Sequence, residues 1–199
     1  MATATSSRLP AVAALVAVLA LAGCGGAARQ GGGHASGAPA PFAWLRPAAV
    51  PADWRIGRLP SRTAAVGYPP GWRAIRTDPG TFSAALLGAH DRIRGYVNAT
   101  PRSGAETLAN WRSFRPAHNA EEGDRNVISE AAASGLRFRS GTGSCVIDRY
   151  ATTTDARYRE IACIVRGARG TTVVVAAARP ADWKRLAPQL ERAVAGLAT

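Results

Sequence analysis

The stretch GSCVIDRYATTTDARYREIACIVR, residues 143–166, decides more of the fold than any other part of the chain. Two β-rich runs flank the polar residues 152–155, which predict a turn. A hairpin centred on Thr154 places Cys145 directly opposite Cys163. Directly opposed residues are close enough for a disulfide, whose Cα atoms must lie within about 7 Å. We therefore predict that these two cysteines are bonded.

The same register makes four further cross-strand pairs: Ile147 with Ile161, Tyr150 with Tyr158, Asp148 with Glu160, and Arg149 with Arg159. The first two are favourable, whereas the last two bring like charges together. A shift of one residue would relieve the charges but place the cysteines on opposite faces. A disulfide closing a loop of about 19 residues stabilises by roughly 3 kcal/mol, and a surface charge pair by less than about 1 kcal/mol. The disulfide register is therefore the prediction, with two buried free thiols as the alternative.

Strand-like runs separated by turn signals surround this hairpin. They are 54–59, 63–68, 72–76, 82–87, 93–99, one or two strands in 127–138, and 171–178. Within the last run, Val173–Val175 has no polar alternation, which is typical of a central strand buried on both faces.

Two helices are predicted. Ser103 and Glu106 form a capping box, and Leu108, Trp111 and Phe114 then share one face. Pro116 should end this helix, which leaves residues 117–126 as a loop.

The second helix opens at Pro180 and Asp182. Its apolar stripe recurs at steps of three and four residues and consists of Trp183, Leu186, Leu190, Val194 and Leu197. Pro188 lies within this pattern and should break or kink the helix.

A family resemblance follows from the order of these elements. The aromatic turn Tyr68–Trp72 (YPPGW) lies among the early strands, and a middle helix, an antiparallel meander and a C-terminal helix near Trp183 follow. This order resembles the PsbP-like α/β/α sandwich, which also occurs in LpqN-type lipoproteins of actinobacteria. The resemblance covers residues 55–197 and implies an α+β domain with an antiparallel β-sheet flanked by helices. It also implies an accessory or binding module, and it supplies no functional residue.

The N-terminus resembles a bacterial lipoprotein signal. Arg8 precedes an apolar run over residues 9–22, and Leu21-Ala22-Gly23-Cys24 resembles a lipobox. Fourteen residues rise only about 21 Å as a helix, less than the ~30 Å hydrocarbon core of a bilayer. The alternative is a secretory signal cleaved near Ala27 or Ala28 without a lipid.

The prediction is thus a signal peptide over residues 1–23, a lipidated flexible tether over 24–41 and a single globular α+β domain over 42–199. Acyl chains such as palmitate on Cys24 would hold the protein on the extracytoplasmic face of the cell membrane. The tether is rich in Gly, Ala, Ser and Pro.

The chain is strongly basic, with a formal net charge of +12. The arginines look scattered along the sequence, and the bias fits a GC-rich genome, so we do not expect nucleic acid as a partner. A positive field could hold the domain near anionic lipid head groups or wall polymers.

One polar constellation is a candidate contact for an envelope protein or an anionic wall polymer. It comprises Arg112, Arg115, His118, Asn119, Glu121, Glu122 and Asp124, of which all but Glu121 and Asp124 are the predicted contact residues. His118 and Glu122 could bind a metal if they shared a helical turn, but Pro116 and Gly123 favour a loop and no third ligand is visible. No metal site, cofactor or catalytic motif is predicted.

Three functions remain open. The leading hypothesis is a non-enzymatic, membrane-anchored binding or accessory module at the cell envelope. The second is a carrier of a small apolar ligand or lipid, with Trp111, Phe114, Trp183 and Leu186 lining a pocket. The third is an envelope hydrolase, for which the sequence shows no organised nucleophile.

Overall fold

The computed structural model describes residues 40–199. The predicted signal peptide, the lipidation site Cys24 and the tether up to residue 39 lie outside these residues. In chain order the helices and strands are β1 Arg55–Arg58, β2 Ala65–Tyr68, β3 Arg73–Ile75, β4 Phe82–Leu87, β5 Ile93–Pro101, α1 Trp111–Glu121, β6 Arg125–Phe138, β7 Gly141–Ala151, β8 Arg157–Gly167, β9 Gly170–Ala178 and α2 Pro180–Ala195.

Seven strands of this part of the chain form one antiparallel sheet, in the order β3-β4-β5-β9-β8-β7-β6. The strands β1 and β2 pair separately. One face of the large sheet packs against α2 and the β1–β2 hairpin, and the other face packs against α1. The predicted fold class, an antiparallel sheet flanked by helices, is confirmed.

The prediction of a central strand is confirmed for Val173–Val175. These residues lie in β9, the middle strand of the seven. Val174 belongs to the core beneath α2 and Val175 to the core beneath α1. Because both faces are covered, an apolar run without alternation is what this strand requires.

The β7–β8 hairpin has the predicted register. Cys145 lies opposite Cys163, and the two form a disulfide with their Cα atoms 4.1 Å apart. The isoleucine, tyrosine, carboxylate and arginine pairs also lie where predicted. The disulfide is buried in the core beneath α2, which confirms the predicted bond.

Helix α2 begins at Pro180, as predicted, with proline in the position where its missing amide hydrogen costs least. Pro188 was expected to break or kink this helix; a break is wrong, because α2 is a single helix through to Ala195. Leu186, Leu190 and Val194 are almost completely buried against the sheet. Their burial offsets the roughly 3 kcal/mol that an interior proline costs.

Helix α1 begins later than predicted. Glu106 does reach back to the amide of Ser103, with Oε1 at 2.8 Å, but residues 103–110 are not helical. A second reciprocal pair precedes the helix: Thr107 donates its amide to Asn110 Oδ1, and Asn110 donates its amide to Thr107 Oγ1. The helix begins one residue later, at Trp111.

The apolar core begins where the aromatic residues first appear. Phe42 is buried beneath α2, and Trp44 and Leu45 pack beside it. Residues 127–138, for which one or two strands were predicted, lie in the single bulged strand β6. Neither helix within residues 40–199 has the length and apolar character needed to cross a bilayer.

Candidate binding groove

A groove lies on the α1 face of the sheet. Helix α1 packs on β6, β7 and β8, which leaves β4 and β5 on the same face without a helix above them. The space between α1 and these strands is a cavity of about 640 Å³. The loop that follows β5 closes one side through Ser103, Gly104 and Glu106. A cavity of this size falls in the range of small-molecule sites, roughly 300–1,000 Å³.

The floor of the groove is a hydrogen-bonded row of polar side chains. Asn98 donates from Nδ2 to Ser83 Oγ at 2.8 Å, and Thr100 donates from Oγ1 to Asn98 Oδ1 at 2.8 Å. Alternate residues of a strand share one face, so Asn98 and Thr100 point the same way. Val173 and Val175 of the neighbouring β9 add an apolar strip beside them.

The wall formed by α1 is aromatic. Trp111 and Phe114 are stacked with ring centroids 6.1 Å apart, and Phe114 and His118 are stacked at 5.5 Å. The steps of three and four residues place these rings on one face of the helix. Trp111 donates from Nε1 to the Ala162 carbonyl at 2.9 Å, which fixes its ring against β8.

A buried ion pair holds this wall to the sheet. Arg115 donates from Nε and Nη2 to the two carboxylate oxygens of Glu160, at 2.8 and 3.0 Å. The Glu160 side chain is 0% exposed and that of Arg115 is 12% exposed. Such a bidentate pair is geometrically specific, so it fixes how α1 sits over β8.

Three neighbours complete the hydrogen bonding around Glu160. Tyr150 donates its hydroxyl to Oε2 at 3.1 Å, Asn119 Nδ2 lies 3.4 Å from Oε1, and Tyr96 bonds the Tyr150 hydroxyl at 3.0 Å. Burial alone would lower the pKa of Arg115. The charge and hydrogen bonds of Glu160 raise that pKa by a larger amount, so it lies above its ordinary value. Burial and the negative Glu160 raise the pKa values of both tyrosines. All three groups therefore keep their protons at neutral pH.

Asp148 is the poorly compensated member of this region. It lies opposite Glu160 in the hairpin and is 0% exposed, and neither of its carboxylate oxygens has a hydrogen-bond partner. Burial raises the pKa of Asp148 to about 6; Ser129, opposite it on β6, partly opposes this rise, and the charge of Glu160 adds to it. Burying a charge without a partner is costly, so the fold favours the protonated carboxyl.

The charges that line the groove are mainly negative. Asp78, Glu106 and Glu122 contribute carboxylates. Arg115 also lines it but is neutralised by Glu160. His118 Nε2 lies 3.2 Å from Glu122 Oε1. The groove is thus acidic in a chain that is strongly basic overall.

No protein-family model and no curated protein matches this chain. Solved structures do match it. The cyanobacterial PsbP protein (CyanoP) of Synechocystis superposes with a TM-score of 0.52 at 14% identity, covering 75% of this chain and 94% of that one. The domain has a PsbP-like fold.

Two further solved structures are less similar to the PsbP-like domain. A Pseudomonas aeruginosa protein of unknown function gives a TM-score of 0.42 at 11% identity, over 73% of this chain and 96% of its own. LpqN of Mycobacterium tuberculosis, described as involved in cell envelope biogenesis, gives 0.37 at 14% identity, over 75% and 79%.

In the PsbP-like domain, the residues of the predicted polar constellation do not form one surface. Arg112 is exposed, and His118 and Glu122 lie at the groove. Arg115 and Asn119 point inward to Glu160, which removes Asn119, at 0% exposure, from any partner contact. Arg112, His118 and Glu122 are therefore available for a contact, whereas Arg115 and Asn119 bond Glu160 inside the domain.

This division arises because α1 does not end where expected. The helix runs through Pro116 to Glu121, so residues 117–121 are helical and only the end of the predicted 117–126 loop is not. Arg115 and Asn119, on either side of Pro116, are both anchored to Glu160. These bonds offset the cost of an interior proline. His118 and Glu122 do share a helical turn, but residues 40–199 contain no group of three acidic, histidine or cysteine side chains placed to hold a metal ion.

The four residues assigned to an apolar carrier pocket do not meet. Trp111 and Phe114 line the groove on the α1 face, whereas Trp183 and Leu186 pack on the α2 face. Sequence reasoning missed the main internal residues of the site: Ser83, Tyr96, Asn98, Thr100, Tyr150 and Glu160. The one available signal was the like-charge pair of Asp148 and Glu160, which was interpreted as a surface feature.

Asp148→Asn is expected to stabilise the domain by about 3 kcal/mol at pH 7.5, because folding raises the pKa of Asp148 from 3.8 to about 6 and each pKa unit is worth about 1.4 kcal/mol. For a raised carboxyl pKa, the unfolded chain loses its proton first, so wild-type stability falls as the pH rises from about 4 to about 6. Urea unfolding at pH 4.5 and pH 7.5 measures both effects. The exposed Asp53→Asn is the control, and a variant no more stable than wild type at pH 7.5 would contradict the prediction.

Proposed function

We propose that the protein is a lipid-anchored, extracytoplasmic binding module and that the groove beside α1 is its binding site. The anchor is Cys24, which follows the apolar run of residues 9–22. The buried disulfide supports an oxidising compartment, since such bonds persist mainly in exported proteins. The PsbP-like fold supports an accessory or binding role.

The observation that carries the proposal is the combination of an open cavity and a rigid frame. The Ser83–Asn98–Thr100 row presents hydroxyl and amide groups to the cavity. The Arg115–Glu160 pair and the Trp111 hydrogen bond hold the opposite wall in place. Preorganised polar groups bind a ligand without the cost of ordering them first.

The charges of the groove indicate the class of ligand. Carboxylates at Asp78, Glu106 and Glu122 disfavour an anion. A neutral polar or cationic molecule fits better: its hydrogen-bonding groups would meet the floor, and an apolar or cationic face would meet Phe114 and His118. Of the two histidines within residues 40–199, His118 stacks on Phe114 and lies 3.2 Å from Glu122, and His90 lies in an exposed turn. We therefore propose binding rather than turnover.

Cys24→Ser tests the anchor. In cells that process lipoproteins, the wild-type protein should sediment with membranes and gain the mass of acyl chains. The variant should lose that mass and leave the membrane fraction, because the lipid provides the stable attachment. If the variant instead stays in the membrane with its signal peptide uncleaved, the acyl mass on the wild-type protein still supports the lipid anchor. A wild-type protein whose mass shows no lipid would contradict the anchoring.

Photo-crosslinking in intact cells tests the groove. A benzoylphenylalanine at position 118, at the groove rim, should give a discrete adduct that the same residue at position 184, exposed on α2, does not. Thr100→Trp should abolish the adduct by filling the groove, while Thr100→Ser keeps the hydroxyl and the adduct. Equal labelling from positions 118 and 184 would refute a binding site in the groove.

A carrier of an apolar ligand is the second candidate, and it uses the same groove. Trp111, Phe114, Val173 and Val175 supply the apolar part of the lining. Native mass spectrometry of the anchored protein extracted from membranes separates the two functions. A co-purifying lipid that Thr100→Trp displaces would favour the carrier.

A further inference from the structure

Six arginines lie at the end of the domain where three turns meet. The turns join β1 to β2, β6 to β7, and β8 to β9. Ser140 of the second turn bonds Thr199, and Gly167 beside the third turn lies directly against both. Ala65, just after the first turn, bridges Ala198. We call this region the arginine end, and its members are Arg58, Arg62, Arg137, Arg139, Arg166 and Arg169.

Three of these arginines surround a concave site. Arg58, Arg62 and Arg169 line a cavity of about 380 Å³ together with Ala64 and Ala65. They come from two different turns, so the fold itself brings them together. The other three, Arg137, Arg139 and Arg166, lie at the same end of the sheet. Arg137 on β6 and Arg166 on β8 are the two cross-strand neighbours of Thr142 on β7.

The arginine end lacks acidic partners. All eight ion pairs found in residues 40–199 lie elsewhere, and none of the six guanidinium groups donates a hydrogen bond within this part of the chain. The segments that build it, residues 54–77, 131–147 and 161–181, contain no Asp or Glu. Seven arginines elsewhere in residues 40–199 do pair with carboxylates, as Arg73 does with Asp91 and Arg94 with Asp182. Six arginines that are far apart in the sequence therefore meet at one end of the domain.

We infer that the arginine end is a docking surface for the phosphate groups of an anionic lipid membrane. Guanidinium groups bind phosphate oxygens through paired hydrogen bonds. Six unpaired charges spread over three turns match a field of many phosphates better than one small anion. A basic residue close to an anionic membrane surface contributes measurably to binding. The groove, which is acidic, lies on the α1 face and is a separate site.

The test is sedimentation of residues 24–199 carrying Cys24→Ser, so that no lipid contributes, with vesicles. Vesicles of phosphatidylcholine with 30% phosphatidylglycerol should retain the protein in 0.1 M salt, and pure phosphatidylcholine should not. The triple variant R58Q/R62Q/R169Q should bind on the order of a hundredfold more weakly, which corresponds to about 1 kcal/mol for each arginine.

The control removes the same charge elsewhere. The triple variant R92Q/R157Q/K184Q replaces three exposed basic residues at the opposite end of the sheet and should lose less than about threefold, since the remaining loss reflects net charge alone. Both variants should keep the wild-type unfolding transition, because the replaced groups are exposed. Equal loss in the two triple variants would overturn the docking surface. Strong binding of inorganic phosphate with no retention on the anionic vesicles would overturn the membrane as its partner.

Discussion

Arg115→Met will lower the free energy of unfolding at pH 7 by about 3–5 kcal/mol, because it leaves the carboxylate of Glu160 buried without its counter-charge. Tyr150 and Asn119 still donate to Glu160, but two neutral donors do not replace a guanidinium. Urea unfolding at pH 7 measures the loss.

The double variant R115M/E160Q shows whether the pair, and not the loss of side-chain packing, causes this effect. The glutamine that replaces Glu160 has no charge yet can still accept hydrogen bonds from Tyr150 and Asn119, so the double variant should be more stable than Arg115→Met alone. The matched control is Arg112→Met, an exposed arginine one turn earlier on α1, which should change stability by less than about 0.5 kcal/mol. A double variant as unstable as the single one would show that the ion pair is not the cause.

Removal of the disulfide is the second large effect. The double variant C145A/C163A should lose about 3 kcal/mol of stability, because the bond closes a loop whose ends are 18 residues apart in sequence. Reductant should destabilise the wild type by a similar amount and leave the double variant unchanged. Comparing urea unfolding of both proteins with and without reductant gives the result, and a loss below about 1 kcal/mol would contradict it.

The hairpin was predictable because several local preferences agree. The cysteines, the β-branched pairs and the Thr152–Asp155 turn all favour one register. Val173–Val175 identified the central strand for a similar reason: a short apolar run without polar alternation is typical of a strand that is buried on both faces. These patterns act over short distances along the chain, where sequence reasoning works best.

The groove was not predictable because its residues meet only in three dimensions. Asn98 and Thr100 look like ordinary strand residues, and nothing near them in sequence indicates the α1 wall opposite. The end of α1 was misjudged for the same reason: Pro116 should stop an isolated helix, and the bonds that override it come from Glu160, 44 positions later. Asp148 and Glu160 were recognised as a like-charge pair, but only the packing of α1 buries them.

Within residues 40–199, β9 is the last strand along the chain and the fourth of seven across the sheet. It pairs with β5, which lies far earlier in the sequence, and with β8. In the proposed export, β5 and β8 each present an unpaired edge until residues 170–178 have left the channel, and strands of other chains assemble on such edges. The domain would then complete its fold only after almost the whole chain has been translocated. Under the proposed export, the time between translocation and folding would then be the period in which aggregation is most favoured.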